Sequence, residues 1–155
     1  MNRRQWIGSG IAAVALIAIG TFYRFRALSE DDRTVLAAIF PVMLAGSLSN
    51  SDVPAAIQGF DIAVSGLTPS VQAEVAQLMM LLRVAPLRMA ATGLMKPLHE
   101  ATPDEIARFL TAWRYSNIAK LRSAYDALHQ LCYGAWYGNP SSWVATSYPG
   151  PPKIA

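Results

Sequence analysis

The sequence predicts an all-α fold, a small irregular bundle of about five to six helices. Apolar residues recur at three- and four-residue spacing along most of the chain, which is typical of helices that bury one face. Capping and breaking residues stand between these stretches, and no segment alternates with period two for long enough to predict a strand. We expect an apolar helix over 1–28, a helical domain over 29–137 and an extended tail over 138–155.

The first segment carries the positive charge of the chain. The net charge is +3, but residues 1–26 hold four arginines and no acidic residue, so the rest is close to neutral. A basic leader is not a basic stripe on a folded body, so the sequence does not indicate nucleic-acid binding. The arginines of the leader are Arg3, Arg4, Arg24 and Arg26.

The start of the chain resembles a twin-arginine export signal. Arg3 and Arg4 are followed, after one residue, by the apolar pair Trp6 and Ile7, and residues 6–23 are uncharged. As a helix those residues would span about 27 Å, against about 30 Å of hydrocarbon, so a membrane anchor or a general secretory signal is the alternative. Cleavage and retention are both open. We expect a periplasmic protein associated with the inner membrane.

Ser29, followed by three acids, predicts the start of the first helix of the body. Pro41 is expected to kink or divide that helix, because its ring clashes with the carbonyl one turn earlier. Residues 46–51 are a loop by composition. The predicted buried face comprises Val35, Leu36, Ile39, Phe40, Met43 and Leu44.

Two further helices are predicted from their first and last residues. Asp52 and Pro54 begin one, which ends at Gly66, and Thr68 with Pro69 begins the next. Pro86 is expected to end the latter. Their predicted buried faces are Val53, Ile57, Phe60 and Val64 in the first, and Val71, Val75, Leu78 and Leu82 in the second.

The second half of the chain predicts a short helix and loop over 87–98, and then two longer helices. Thr102 and Glu105 form a predicted capping box at the start of one, and the last helix runs from about Ser116 to Tyr137. Their predicted buried residues are Ile106, Phe109, Leu110 and Trp113, and Ile118, Leu121, Tyr125, Leu128, Cys132 and Trp136. In the tail, four prolines are expected to prevent helix formation.

Residues that could perform chemistry do not converge in the sequence. His99 and His129 have no metal-ligand spacing, and Cys132 lies on an apolar helical face where a buried thiol is expected. Pairs of carboxylates are explained by helix starts. We therefore predict no catalytic residue, no metal site and no cofactor site in this chain. Arg83, Arg88, Arg114 and Arg122 are candidates for ion pairs at an interface, or for a solvated helix face.

The leader, the helix start at 28–32 and the closing Trp143 with Tyr148-Pro149-Gly150-Pro151 resemble the gluconate 2-dehydrogenase subunit 3 family. The resemblance implies a small non-catalytic subunit. Its large partner would be a flavoprotein of the glucose–methanol–choline type that holds flavin adenine dinucleotide (FAD), with a cytochrome c subunit as a further component in some complexes. Because flavin is loaded in the cytoplasm, the small subunit would lend its signal to a folded partner at the twin-arginine translocase.

The alternative is a stand-alone, membrane-anchored helical protein with a small-molecule pocket near His129, lined by Tyr125, Tyr133 and Trp136. Under the subunit hypothesis, aromatic, arginine and proline side chains form the partner interface. The predicted interface residues are Trp113, Arg114, Trp136, Tyr137, Trp143, Tyr148, Pro149 and Pro151.

Overall fold

A computed structural model of the protein describes residues 28–151, apart from the side chains of 144–146. Within this range the chain forms seven α-helices and no strand, which confirms the predicted all-α class. The export signal predicted from Arg3, Arg4, Trp6 and Ile7 lies outside the described residues.

The helices are α1 (Glu30–Met43), α2 (Val53–Ser65), α3 (Pro69–Arg83), α4 (Ala85–Thr92), α5 (Pro103–Arg114), α6 (Ala119–Tyr137) and α7 (Pro140–Thr146). Two short 3₁₀ turns lie at Asn50–Asp52 and Leu98–Glu100. The short helix predicted over 87–98 is α4, which has Pro86 in its first turn. Only α7, which begins at Pro140, was not predicted. As predicted, α3 ends shortly before Pro86, at Arg83. The same proline also lies in the first turn of α4, where its missing N–H is well tolerated.

Helix α1 is central, since it contacts α2, α3, α5 and α6. Leu36, Ile39 and Phe40 are completely buried along it. Pro41 does not divide the helix, because it lies in the last turn before Met43. A proline at that point removes a single helical hydrogen bond, from its own missing N–H, and the helix ends within one turn.

The N-terminus of α1 is fixed by a capping box and by ion pairs to two other helices. The Asp32 N–H donates to Ser29 Oγ at 3.2 Å, and the Ser29 N–H donates to the Asp32 carboxylate at 3.0 Å. Arg33 on α1 lies 3.1 Å from the Asp61 carboxylate on α2, and Arg83 on α3 lies 3.6 Å from Asp32. The predicted cap therefore also joins the start of α1 to α2 and α3.

The most extensive helix contact joins α2 to α6. At its centre Gly59 of α2 lies so close to α6 that a Cβ atom there would be 2.6 Å from the Ala135 carbonyl oxygen. Only glycine permits this backbone approach. The C-terminal half of α6 is buried through this contact, and its buried residues are Leu128, Cys132, Ala135 and Trp136.

Helices α3 and α4 meet at a bend of 92°. Arg88 on α4 is buried inside the bend, where Nη1 donates to the Arg83 carbonyl at 2.7 Å and Nη2 donates to the Met95 carbonyl at 3.0 Å. This guanidinium satisfies carbonyls at the end of α3 that have no helical partner. Among the described residues no single helix meets the length and hydropathy needed to cross a membrane; α3 and α4 meet them only as a bent pair.

Helix α5 begins with the predicted capping box. The Thr102 N–H donates to Glu105 Oε2 at 2.8 Å, the Glu105 N–H donates to Thr102 Oγ1 at 3.3 Å, and Lys96 Nζ lies 2.7 Å from the same carboxylate. The Lys96 ammonium and then the Thr102 N–H hold the pKa of Glu105 at about 2. The loop before α5 is thereby joined to the helix start.

The chain after α6 differs from the predicted extended tail. Pro140 is the first residue of α7, so this proline begins a helix instead of preventing one. After α7, Ser147 takes a positive φ of 55° and the chain reverses. Gly150 then lies against the Trp143 ring, where a Cβ atom would be 3.0 Å from the ring carbon Cζ3. Residues 147–150 are therefore folded back onto α7.

We predict that Gly59→Ala destabilises the fold by about 1–3 kcal/mol, because the new methyl group meets backbone that cannot rotate away. Gly134→Ala is the matched control. Gly134 also lies on α6, but a Cβ atom there would have no neighbour within 4 Å. Alanine at this position should therefore be neutral or should stabilise the fold by about 0.5–1 kcal/mol. Chemical denaturation of both variants measures the difference; equal stabilities would refute the close approach of α2 and α6.

We also predict that Glu105→Gln lowers the thermal unfolding temperature at neutral pH, and that the difference from wild type shrinks on acidification. The folded-state pKa of about 2 lies below the unfolded value of about 4.3. The contribution is therefore complete above the unfolded pKa and is lost as the pH falls toward the folded pKa. Asp104→Asn, in the same helical turn, should show a smaller effect. A Glu105→Gln deficit that is constant with pH would contradict this assignment.

Candidate interaction surfaces

An open apolar groove of about 900 Å³ runs between α3 and the first two-thirds of α6. Its floor and walls are aliphatic, and polar side chains stand at its edges. The polar edge includes Glu74, Gln77 and Lys120. The aliphatic lining includes Val71, Val75, Leu78, Leu121, Ala124 and Leu131. A groove with this lining offers apolar surface that water covers poorly.

The groove exists because α2 covers only part of the length of α6. Its C-terminal half packs on α2, whereas none of residues 119–127 is fully buried. Leu121 and Tyr125, predicted as buried, are only half-buried, and Ile118 is exposed. On the facing helix Val71 was also predicted as buried, yet it is 38% exposed at the edge of the groove. These side chains keep the helical spacing of a core face, but they are only partly covered by the rest of the described fold.

A column of aromatic rings follows another face of α6. His129 stacks on Tyr133 with ring centroids 4.2 Å apart, and Tyr125 and Tyr137 extend the column at 5.7 and 5.8 Å. The Arg114 guanidinium lies 5.9 Å from the Tyr125 ring at one end. The Tyr133 hydroxyl donates to the Met43 carbonyl at 3.2 Å, which ties the column to the end of α1. The rings therefore cover one another and the helix surface.

Trp113 and Trp136, two of the predicted interface residues, lie inside the core of this chain. They are 1% and 2% exposed, and each indole N–H donates to a main-chain carbonyl, Trp113 to Ala91 at 2.7 Å and Trp136 to Ser47 at 3.1 Å. A buried and hydrogen-bonded indole stabilises its own fold and presents no ring to a partner. These two residues are therefore core residues in the described fold.

The other predicted interface residues lie at the surface or near it. Arg114 is exposed, and Tyr137 and Tyr148 are 40% and 48% exposed. Trp143 is half-buried; its indole N–H donates to the Tyr137 carbonyl at 3.2 Å, and its ring meets Tyr148 edge-on at 5.6 Å. Pro149 and Pro151 are exposed beyond this contact. The structure brings Tyr137, Trp143 and Tyr148 together and leaves Arg114 at the other end of α6.

The four arginines proposed for interface ion pairs are placed very differently. Arg83 forms its ion pair within the chain, with Asp32, and Arg88 is buried among carbonyls. Arg114 and Arg122 are exposed, and the Arg122 guanidinium donates to the Ser116 carbonyl. The first two therefore stabilise the fold, and only the last two offer charge to a partner.

The side chains that could act as nucleophiles, bases or metal ligands do not lie together in the described part of the chain. His99 is exposed beside Glu100, at 3.7 Å, whereas His129 lies within the aromatic column. Cys132 is completely buried, and this burial raises the pKa of its thiol far above the ordinary value. Among the described residues no group of three or more His, Cys, Asp and Glu side chains could hold a metal ion.

The pocket envisaged near His129 does not coincide with the groove. Tyr125, His129 and Tyr133 stack on one another, Trp136 faces the core, and none of the four lines the groove between α3 and α6. The groove itself was not predicted from the sequence. Its signal was the continuation of apolar spacing along α6 toward Ile118, beyond the length that the core of a small domain needs.

Comparison with known proteins adds no relative: the chain matches no family model, no curated protein and no solved structure. The fold and its surfaces define a helical domain with an open apolar groove, an aromatic column and a folded-back aromatic tail.

Proposed function

We propose that this protein is a non-catalytic small subunit that binds a larger flavin-dependent dehydrogenase, escorts it through the twin-arginine route and stabilises it in the periplasm or at the inner membrane. The observation that carries the proposal is the groove between α3 and α6, an apolar surface that the described residues leave uncovered. An amphipathic helix of a partner is a suitable occupant, since such helices bind apolar grooves through side chains at helical spacing.

The leader supports the export part of the proposal. A twin-arginine signal is useful for a protein that crosses the membrane already folded, and a flavoprotein loaded in the cytoplasm is such a protein. The resemblance to the small subunits of flavin dehydrogenases assigns FAD and the reaction to the large subunit, with a cytochrome c as a further possible component. In this scheme the small subunit contributes its signal and its surface.

In this proposal the groove serves both the escort role and the stabilising role. Covering it removes aliphatic side chains of α3 and α6 from water, which is favourable by roughly 25 cal/mol per Å² of apolar surface. The same contact would hold the first half of α6, which α2 leaves uncovered. Partner and small subunit are then expected to stabilise each other, because a ligand that binds only the folded state shifts unfolding.

Val71→Asp together with Ala127→Glu should abolish recovery of the flavoprotein with this chain. Both residues line the groove and are exposed, so a charge there disrupts the partner contact while the fold is retained. The test is co-expression with the dehydrogenase, purification by a tag on this chain, and measurement of flavin absorbance in the product. Ile62→Asp is the control, since Ile62 is 65% exposed on α2 and outside the groove. Unchanged flavin recovery in the double variant would reject the groove as the binding surface.

Arg3→Lys together with Arg4→Lys should leave both proteins in the cytoplasm, because the translocase requires the paired guanidinium groups. Arg24→Lys together with Arg26→Lys keeps the same charges in the same leader and is the matched control. Fractionation followed by dehydrogenase activity in the periplasmic and membrane fractions provides the measurement. Normal export of the flavoprotein with the first double variant, or in cells without this chain, would refute the escort role.

A further inference from the structure

The lysines and arginines of residues 28–151 divide into two groups. Those in the first group have partners within the fold: Arg33 with Asp61 at 3.1 Å, Arg83 with Asp32 at 3.6 Å, Lys96 with Glu105 at 2.7 Å, and Arg88 with buried carbonyls. The second group comprises Arg108, Arg114, Lys120 and Arg122. These four are exposed, and none forms an ion pair with a carboxylate in the described part of the chain. Arg108 and Arg122 donate to exposed main-chain carbonyls, those of Asp104 and Ser116, which leaves their charge unneutralised.

Three of these cations surround the connection between α5 and α6. The surface formed by these three cations and two apolar residues is called the α5–α6 corner, and it comprises Arg114, Tyr115, Ile118, Lys120 and Arg122. The sequence from 106 to 125 contains no acidic residue, and Asp126, one turn after Arg122, forms no ion pair with it in the described fold. Lys120 and Arg122 also lie in the first turn of α6, where the helix dipole disfavours cations. The contacts of Arg122 with the Ser116 carbonyl and of Arg114 with two tyrosine rings hold the side chains in place but do not neutralise their charge.

Two large apolar side chains are exposed between these cations. Tyr115 is 71% exposed and Ile118 is 47% exposed, in a short connection that also contains the polar Ser116 and Asn117. The Arg114 guanidinium lies 5.4 Å from the Tyr115 ring centroid and 5.9 Å from that of Tyr125. The corner therefore combines an apolar tip with a basic surround.

We propose that the α5–α6 corner binds the surface of an anionic phospholipid bilayer. Lipid phosphates supply the anionic partners that Arg114, Lys120 and Arg122 do not have in the described fold. The side chains of Tyr115 and Ile118 enter the headgroup region. Surface-bound proteins combine basic residues with a few interfacial aromatic and aliphatic side chains in this way. The corner is a membrane contact of the folded body, separate from the N-terminal segment, and it does not require the proposed dehydrogenase partner.

The size of the apolar tip favours a bilayer over an acidic protein surface. A stable protein interface buries about 800 Å² on each partner around a continuous apolar centre. The corner offers two apolar side chains separated by polar residues, which is too little for such a centre. A bilayer needs no shape complementarity, and each basic residue near an anionic surface strengthens binding roughly fivefold.

The first test measures binding of the full chain to vesicles by co-sedimentation. Arg114→Gln together with Arg122→Gln should weaken binding to phosphatidylglycerol-containing vesicles about 30-fold, with no change on pure phosphatidylcholine vesicles. Neither residue lines the groove, so the groove experiment and this one fail independently. Ser51→Glu together with Ser70→Glu, at two exposed positions elsewhere, changes the net charge equally and should have a much smaller effect. Equal losses in the two double variants would refute a local contact.

The apolar tip is tested in the same assay. Tyr115→Ser together with Ile118→Ser should lower binding to the anionic vesicles, whereas Ile62→Ser, which removes an exposed isoleucine from α2, should not. All variants carry the same leader, so any binding through residues 1–27 contributes equally to each measurement. If the tip variant binds like the wild type, Tyr115 and Ile118 do not enter the headgroup region.

A local probe separates contact at the corner from contact elsewhere. Asn117→Cys allows an environment-sensitive fluorophore to be attached, because Cys132 is buried and its thiol is protonated. The fluorescence should shift to the blue on anionic vesicles, while the same probe on Ser51→Cys should not respond. A silent probe at 117 on vesicle-bound protein overturns the proposal. So does intact vesicle binding combined with lost flavoprotein recovery in the Arg114 and Arg122 variant, which would assign the corner to a protein partner.

Discussion

The backbone contact between Gly59 and Ala135 determines how the longest helix of this protein lies on the rest. A carbonyl oxygen 2.6 Å from the position of a missing Cβ leaves no room for any other residue type at 59. Once the C-terminal half of α6 is held in this way, its first half extends past α2 and stands opposite α3. The open groove between α3 and α6 is a consequence of that placement. A surface feature far from Gly59 therefore depends on the absence of one methyl group.

The helix starts were the most predictable part of the fold because they are encoded locally. Ser29 with Asp32 and Thr102 with Glu105 each satisfy orphan N–H groups within four residues of sequence, and the structure shows both capping boxes. Prolines were harder to interpret, because proline is common both just after the end of a helix and in the first turn of one. At Pro140 the composition indicated an extended tail, whereas the ring occupies the first position of α7, where its missing N–H has no cost.

The interaction surfaces were less predictable than the helices because residue type does not separate core from interface. Tryptophan is favoured in both, and the choice for Trp113 and Trp136 depended on carbonyls at Ala91 and Ser47 that only the tertiary fold brings near. Likewise Val71 has the spacing of a core residue but lies at the edge of the groove between α3 and α6, where the described residues leave it exposed. Helical periodicity identifies the apolar face of a helix, but it carries no information on which neighbour, if any, covers that face.

The guanidinium of Arg88 has an effect on a loop that looks unconstrained. Residues 93–97 form a connection that includes the exposed Gly93 and Met95, the kind of segment in which insertions are usually tolerated. Yet the Met95 carbonyl must accept from the same buried guanidinium that donates to the Arg83 carbonyl at the end of α3, inside the 92° bend. One extra or missing residue in this loop would carry that carbonyl away and leave a buried charge without one of its acceptors. The length of the 93–97 loop is thus set by a hydrogen bond to a buried side chain.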